Sequence, residues 1–325
     1  MLGNPDHAVG GLSVRPPAGV ELRPLGRGDL GEALAMAREM RDLPPLPDPS
    51  TVSARWERLV NSADAAPFVA TADDEPAGLA VLVFRRRLNF ATFEGWLSNL
   101  YVRPRFRGRG VGRMLAEAVV AEWRLRQGHR ILVQVPAAAE AARATLGHLG
   151  FGETMIAFEL SPLVDRVVPL PMPDGVTLRP LVEDDFEAVT RLIAQFGPRR
   201  SPVPDRMDAM RRTFAMHARA VAAGEAGSLV ADLEGSTVGV AIMEWRDPFW
   251  DLRRQAWIPD LVVTEPMRGR GIGRALLEHA LRAAVWAGAS EMVLESGLRR
   301  SAAHRLYAAA GFAASGSTYA LERDG

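Results

Sequence analysis

The chain repeats itself, and that property limits its fold more than any other. Gly19-Val20-Glu21-Leu22-Arg23-Pro24-Leu25 returns as Gly175-Val176-Thr177-Leu178-Arg179-Pro180-Leu181, an offset of 175 − 19 = 156 residues. Downstream, Gly78, Trp96, Arg107 and Gly150-Phe151 return as Gly239, Trp257, Arg268 and Gly311-Phe312, each at an offset of 161, as in 268 − 107. Landmarks in one order at a shared offset mean two copies of one folding unit. The length of 325 residues agrees, since roughly 100–200 residues per domain makes two domains the expectation. The repeat divides the chain into a leader at 1–18, an N-terminal unit at 19–161, a linker at 162–174 and a C-terminal unit at 175–325. Pro162, Pro169, Pro171 and Pro173 mark the linker, because prolines this dense favour extended backbone that joins neither a helix nor a central strand.

Composition narrows the function classes. Lys+Arg and Asp+Glu are both 39, so no global field draws the chain to nucleic acid or an anionic membrane, and a basic site must be local. With no cysteine, thiol nucleophiles, thiolate metal sites and disulfides are excluded, and the six histidines show no helical pair at metal-ligand spacing. Residues 1–18 lack a signal peptide's basic start and apolar stretch, and no run of eighteen apolar residues occurs. A cytoplasmic protein without a metal, a nucleic-acid partner or a membrane partner is the expectation.

Each copy reads alike. A short strand (19–25; 175–181) precedes an amphipathic helix (28–40; 184–196) and a second helix. A pair of strands follows (67–72 and 77–86; 229–233 and 237–246), then a third strand (95–102; 256–263), a Gly-rich turn and a long helix (111–127; 272–287). A strand, a short helix ending at Gly-Phe and a last strand complete the unit. Strands alternating with helices predict a mixed α/β sheet.

The turn carries the chemistry. In copy two an apolar strand, Leu261-Val262-Val263, leads through Thr264-Glu265-Pro266-Met267 into Arg268-Gly269-Arg270-Gly271-Ile272-Gly273-Arg274 and a helix. Copy one has Leu100-Tyr101-Val102 and then Arg107-Gly108-Arg109-Gly110-Val111-Gly112. Glycines let the backbone approach a ligand, helix-start amides point at an anion, and arginines add charge-assisted hydrogen bonds. A pyrophosphate suits such a turn. Arg113 and Arg274 stand where a Rossmann turn needs its third glycine, and Gly-Lys-Ser/Thr is absent. A purely structural turn with solvated arginines is the bland alternative.

Arg-x-x-Gly-x-Gly after a strand, twice, each with Gly-Phe 43 residues on (150 − 107; 311 − 268), resembles the GNAT acetyltransferases. The resemblance spans 19 to about 161 and 175 to about 323. It implies two tandem GNAT folds, each a mixed, mostly antiparallel sheet flanked by helices, and acetyl-CoA as cofactor. It also implies that the stretches named above cradle the coenzyme A pyrophosphate and pantetheine, with the motif strand splaying at a bulge, for which Pro259 is suited. The two copies can pair within one chain as a pseudo-dimer, with monomer or homodimer left open.

In the family an acid for the leaving thiolate is often a tyrosine in the helix before Gly-Phe. Copy two places Ala303, Tyr307, Gly311 and Phe312 in that register, although Arg300 stands where asparagine is common; copy one has Leu146 at the tyrosine position. Tyr307 is therefore the candidate acid. Asp260 is the candidate base, its copy-one equivalent being Asn99, with Glu244 and Glu295 as rivals. His304 shares a helical face with Tyr307 and reads as a polar partner. Trp96 and Trp257 are expected to pack a strand against a helix. Arg199-Arg200 and Arg211-Arg212 read as solvated charge, in or near the loops 41–56 and 197–215 where specificity would lie. The function expected is acetyl transfer to a primary amine by direct attack in a ternary complex, with copy two catalytic and copy one degenerate or only CoA-binding. A CoA-responsive binding module and a longer-chain acyltransferase remain alternatives.

Overall fold

The computed structural model describes residues 16–40, 48–90, 92–164, 172–196, 206–249 and 253–323. The first half opens with β1 (Val20–Pro24), α1 (Leu30–Met40) and α2 (Pro49–Val60). It continues through β2 (Ala65–Ala72), β3 (Glu75–Arg86), β4 (Phe93–Val102), α3 (Val111–Leu125), β5 (Arg130–Val135), α4 (Glu140–His148) and β6 (Gly152–Leu160). The second half repeats the series: β7 (Val176–Pro180), α5 (Phe186–Ala194), α6 (Met207–Ala222), β8 (Leu229–Leu233), β9 (Ser236–Arg246) and β10 (Arg254–Val263), then α7 (Ile272–Trp286), β11 (Ala289–Gly297), α8 (Ser301–Ala309) and β12 (Ala313–Glu322).

Local chemistry explains the punctuation. Asp48 begins α2 by accepting hydrogen bonds from the Ser50 and Thr51 amides, with Pro49 in the first turn, where a missing N–H costs nothing. The hairpins β2–β3 and β8–β9 close through two residues of positive φ, Asp73 (54°) and Asp74 (60°), and Glu234 (50°) and Gly235 (77°). Such turns match the twist of the flanking strands.

The twelve strands form one sheet in the order β1-β2-β3-β4-β5-β12-β6-β11-β10-β9-β8-β7. Among the described strands β4–β5 and β10–β11 run parallel and the other neighbours antiparallel, with helices packed on the sheet. This is the mixed, mostly antiparallel α/β fold that the sequence predicts, built twice.

The join between the halves was not legible. The last strand of each half pairs with the penultimate strand of the other: Tyr319 of β12 lies opposite Val133 of β5, and Phe158 of β6 opposite Leu294 of β11. Tyr319 and Leu321 pack on the first core, and Phe158 and Leu160 are buried in the second. A cut between residues 161 and 175 divides the chain but not the sheet, because equivalent strands can exchange places at little cost in backbone pairing.

A second crossing strengthens the first. Leu88 and Phe249, 161 residues apart, follow β3 and β9, and each enters the opposite half. Leu88 packs with Leu181, Phe186, Val240 and Val262. Phe249 packs with Met36, Leu79 and Tyr101, and its ring meets Trp56 edge-on at 4.9 Å. Burying side chains of this size contributes roughly 1.5–3 kcal/mol each. Among the described residues no helix is long and apolar enough to cross a membrane, and no group of His, Cys, Asp and Glu could hold a metal ion.

Candidate active site

The site begins where two parallel strands part. Pairing of β10 with β11 ends at Ile258 opposite Leu294, and a bulge against β9 falls between Trp257 and Asp260. The backbone of Pro259 to Val263 therefore has β9 on one side and no β11 partner on the other. In the first half, pairing of β4 with β5 ends at Leu97 opposite Val133, which leaves Leu100, Tyr101 and Val102 in the same position. The splay expected near Pro259 is present, with a counterpart in each half.

Each splay runs into the glycine turn. Gly108 and Gly110 have φ of 76° and 83°, and Gly269 and Gly271 have 78° and 85°, a region that other residues enter only with strain. The first helical bond of α7 joins the Ala275 amide to the Gly271 carbonyl, so the Ile272, Gly273 and Arg274 amides face outward without backbone partners. Val111 and Gly112 begin α3 in the same way. Arg107 and Arg268 each donate from Nε to the carbonyl five residues before, Val102 and Val263, both at 3.1 Å, which anchors the arginine at the strand's end. The turns then diverge. Arg109 is tied bidentately to Asp73 at 2.6 and 3.0 Å, whereas Arg270 has no such ion pair among the described residues. Arg274 points along its helix to Glu278. Outward amides, positive-φ glycines and an arginine without an ion pair among the described residues suit a pyrophosphate, the second turn better than the first.

Tyr307 sits on α8 beside the opening. It is buried, its ring packs against Phe158 and Phe312 at 5.5 and 6.1 Å, and burial pushes its hydroxyl up to about 12. The nearby Arg300 cation opposes that rise, while Asp260 adds to it. Its equivalent, Leu146, is buried in the first core. Ser296 lies on β11 beyond the point where β10 leaves; it is buried with its Oγ unpartnered among the described residues, and the equivalent first-half position is Val135. His304 contacts the Gly297 carbonyl at 3.1 Å, in keeping with a polar structural partner.

On the opposite face of the sheet, the two halves meet in a buried ionic cluster. Arg87, just past β3, crosses to Asp260 at 2.7 Å and also donates to the Pro259 carbonyl at 3.1 Å. Burial alone would depress Arg87, but Asp260 and Glu94 outweigh it and hold its pKa above the usual value. Glu94 is fully buried; desolvation works to raise it, and Arg130, Arg85 and Arg87 together keep it well below the ordinary carboxylate range. Asp260 thus stands at the bulge as expected, with Oδ2 engaged by a residue from the other half.

Glu244 differs. It lies on β9 opposite Trp257, half-buried, and its carboxylate makes no hydrogen bond or ion pair among the described residues. Desolvation pushes its pKa up, against the pull of Arg246, Arg85 and Arg87. Glu295, the other rival, accepts a hydrogen bond from Trp257 Nε1 at 2.8 Å. The tryptophans, expected to pack a strand against a helix, meet cations. Arg85 lies 4.4 Å from the Trp96 ring and 4.0 Å from Trp257, and Arg246 lies 3.9 Å from Trp257, so the rings line the joint and stack on cations. Sequence reading missed Arg85, Arg87, Glu94, Arg246 and Ser296. One available signal was charge at the end of apolar strands, in Phe84-Arg85-Arg86-Arg87 and Trp245-Arg246. Arg211 pairs with Glu187 at the surface, while Arg199 and Arg200 lie outside the described residues.

Known proteins share this fold. The sequence model of the Acetyltransferase (GNAT) family matches residues 34–151 and again 187–312. Over 51 residues the chain is 49% identical to an uncharacterized N-acetyltransferase of Bacillus subtilis, and over 121 residues 36% identical to the mycothiol acetyltransferase of Acidothermus cellulolyticus. These matches cover 16% and 35% of this chain, and only 36% and 34% of the relatives' own lengths. Among solved structures, a GCN5-related N-acetyltransferase from Sphaerobacter thermophilus matches over 96% of this chain and 98% of its own, with TM-score 0.65 and 23% identity. A tandem GNAT protein from the clavulanic acid biosynthesis pathway matches over 93% and 98%, with TM-score 0.60 and 17% identity, which supports the doubled fold. With both copies matched by the family model, the chain belongs to the acetyltransferase (GNAT) family of acyltransferases.

Proposed function

We propose that the second half transfers the acetyl group of acetyl-CoA to a primary amine by direct attack in a ternary complex, and that the first half keeps the fold but not the chemistry. One observation carries this reading. At matched positions the second half holds Tyr307, Asp260, Glu244 and Ser296, where the first holds Leu146, Asn99, Val83 and Val135.

Acetyl-CoA supplies the acyl group as an activated thioester. Arg268, Arg270 and the amides of Ile272 and Gly273 would hold its pyrophosphate, and the edge of Leu261 to Val263 turned away from β9 its pantetheine arm. Glu244, with open oxygens and a raised pKa, accepts one proton from the incoming ammonium and passes it to solvent. Tyr307, protonated at neutral pH, donates a proton to the departing sulfur and is restored by the second proton lost from nitrogen. Both protons that an ammonium loses on becoming an amide are thereby placed. Asp260, already engaged by Arg87, is proposed to hold the bulge in place of acting as the base. Arg300 supplies positive charge beside Tyr307.

The proposal retains 19–161 and 175–325 as sequence units, now as a pseudo-dimer with exchanged last strands, and a cytoplasmic setting, since a chain without cysteine gains nothing from an oxidising compartment. The test is thiol release from acetyl-CoA across a panel of primary amines. Transfer that collapses in Tyr307→Phe supports the reading; CoA binding without transfer to any amine would overturn it.

A further inference from the structure

The same face of β9 holds two opposite charges that, among the described residues, have no ion-pair partner. Glu244 and Arg246 are two residues apart on one strand, so their side chains share a face with Cα atoms about 6.6–6.8 Å apart. Their charges are opposite, yet they form no ion pair with each other. Among the described residues the Glu244 carboxylate has no hydrogen bond. Among the described residues Arg246 hydrogen-bonds Gln255 Oε1, at 3.4 Å, and stacks on Trp257, while its Nη2 is buried with no hydrogen-bond partner. Burial lowers its pKa to about 9, and the like charge of Arg85 adds to this, so it remains a cation at neutral pH. A buried cation without a hydrogen-bonded anion is a costly arrangement that an anionic ligand would relieve.

The first half shows how the deficit arises. Arg85 is the equivalent of Arg246 (246 − 85 = 161), and it pairs with Glu94 opposite it at 2.6 Å. Opposite Arg246 the corresponding residue is Gln255, which carries no charge. At the position of Glu244 the first half has Val83. Relative to its twin, the second half has therefore lost the carboxylate that would neutralise its arginine and gained one next to the bulge. Arg85 Nε and Nη1, also buried and unpartnered, lie over the same Trp257 ring and add to the positive field.

We infer that the acceptor is an α-amino acid, or a molecule ending in the same ammonium and carboxylate pair, held with its carboxylate on Arg246 and its amine on Glu244. The inference rests on the second half being the active one. The orientation follows from register: Glu244 is opposite Trp257, next to the bulge where β10 parts from β11, and Arg246 is farther from it, opposite Gln255. The amine therefore faces the acyl group while the carboxylate is anchored away from it.

The test compares L-alanine, L-leucine, L-methionine and L-phenylalanine with their carboxamides and their decarboxylated amines, by kcat/KM for acetyl transfer. At least one free amino acid should exceed its amide and its amine by about 10- to 100-fold, the loss expected for a hydrogen-bonded charge. In Arg246→Gln that preference should collapse, and Arg246→Lys should restore part of it. Tyr307→Phe should slow every acceptor while leaving the preference intact, which separates this inference from the choice of active half. Calorimetric titration of the same amino acids into CoA-saturated Tyr307→Phe protein gives a readout free of catalysis, with thermal unfolding of each variant as the check on folding. Equal use of amino acids and amides, a preference that survives Arg246→Gln in folded protein, or no amino-acid binding to the CoA complex would overturn the inference.

Discussion

The two halves carry the same turn and differ in what surrounds it. Gly110 and Gly271 start their helices with φ of 83° and 85°, and Arg107 and Arg268 anchor to their strands at the same distance of 3.1 Å. Around these common parts, the first half has Leu146, Val83 and Val135 where the second has Tyr307, Glu244 and Ser296. On the proposed reading glycine geometry alone does not mark catalysis, because it is kept in the half that holds Leu146 and Val83 at the proposed acid and base positions. The first half also enters the second directly: Leu88 joins its core and Arg87 pairs with Asp260.

Tyr307→Phe should give the largest effect, lowering kcat by about 10²–10⁴-fold, the usual contribution of a positioned acid. The reciprocal Leu146→Tyr should produce no transfer from the first half in a protein that already carries Tyr307→Phe, since its base position is Val83; measurable activity there would break the comparison.

Arg87→Ala should destabilise the protein by about 3–5 kcal/mol in denaturant unfolding, because it removes a buried guanidinium that bonds both the Asp260 carboxylate and the Pro259 carbonyl at the bulge. A loss below about 1 kcal/mol would remove the first half from the second half's site.

Glu244→Gln sharpens the contrast through its opposite effects on rate and stability. Only the ionised base accepts a proton, so wild-type kcat/KM should rise with pH through the raised Glu244 pKa and then level, and the variant should lose that limb. The folded state holds the Glu244 proton more tightly than the unfolded chain. Its contribution to stability is therefore present at low pH and falls as pH rises from the ordinary carboxylate value through the raised one. At neutral pH the charged form is a net cost, and Glu244→Gln should raise the melting temperature while lowering the rate. A variant less stable than wild type at neutral pH would argue against Glu244 as a desolvated base.

Much of the fold is legible because its signals are local. Repeated strands, Asp and Gly turns and the Arg-x-x-Gly-x-Gly helix start each depend on a few neighbouring residues, and Tyr307 is found by register from Gly311-Phe312. The strand exchange is not legible, since β6 and β12 are equivalent partners for β5 and β11 and nothing in their sequences distinguishes the two pairings. The ionic joint is hidden for a related reason: Arg87 and Asp260 are 173 residues apart (260 − 87), and their meeting depends on a loop crossing between halves. The carboxylate beside the bulge was recognised, but its arginine was not, and that partner changes the role proposed for it.

The central claim is that only the second turn serves acetyl transfer. Steady-state kinetics in acetyl-CoA, with a fixed amine acceptor, for Arg107→Glu and Arg268→Glu test it most directly. Arg268→Glu should lower kcat/KM for acetyl-CoA at least about 10-fold through lost charge-assisted bonds, with Arg107→Glu close to wild type. Transfer abolished by Arg107→Glu and retained in Arg268→Glu would place catalysis in the first half and contradict the account.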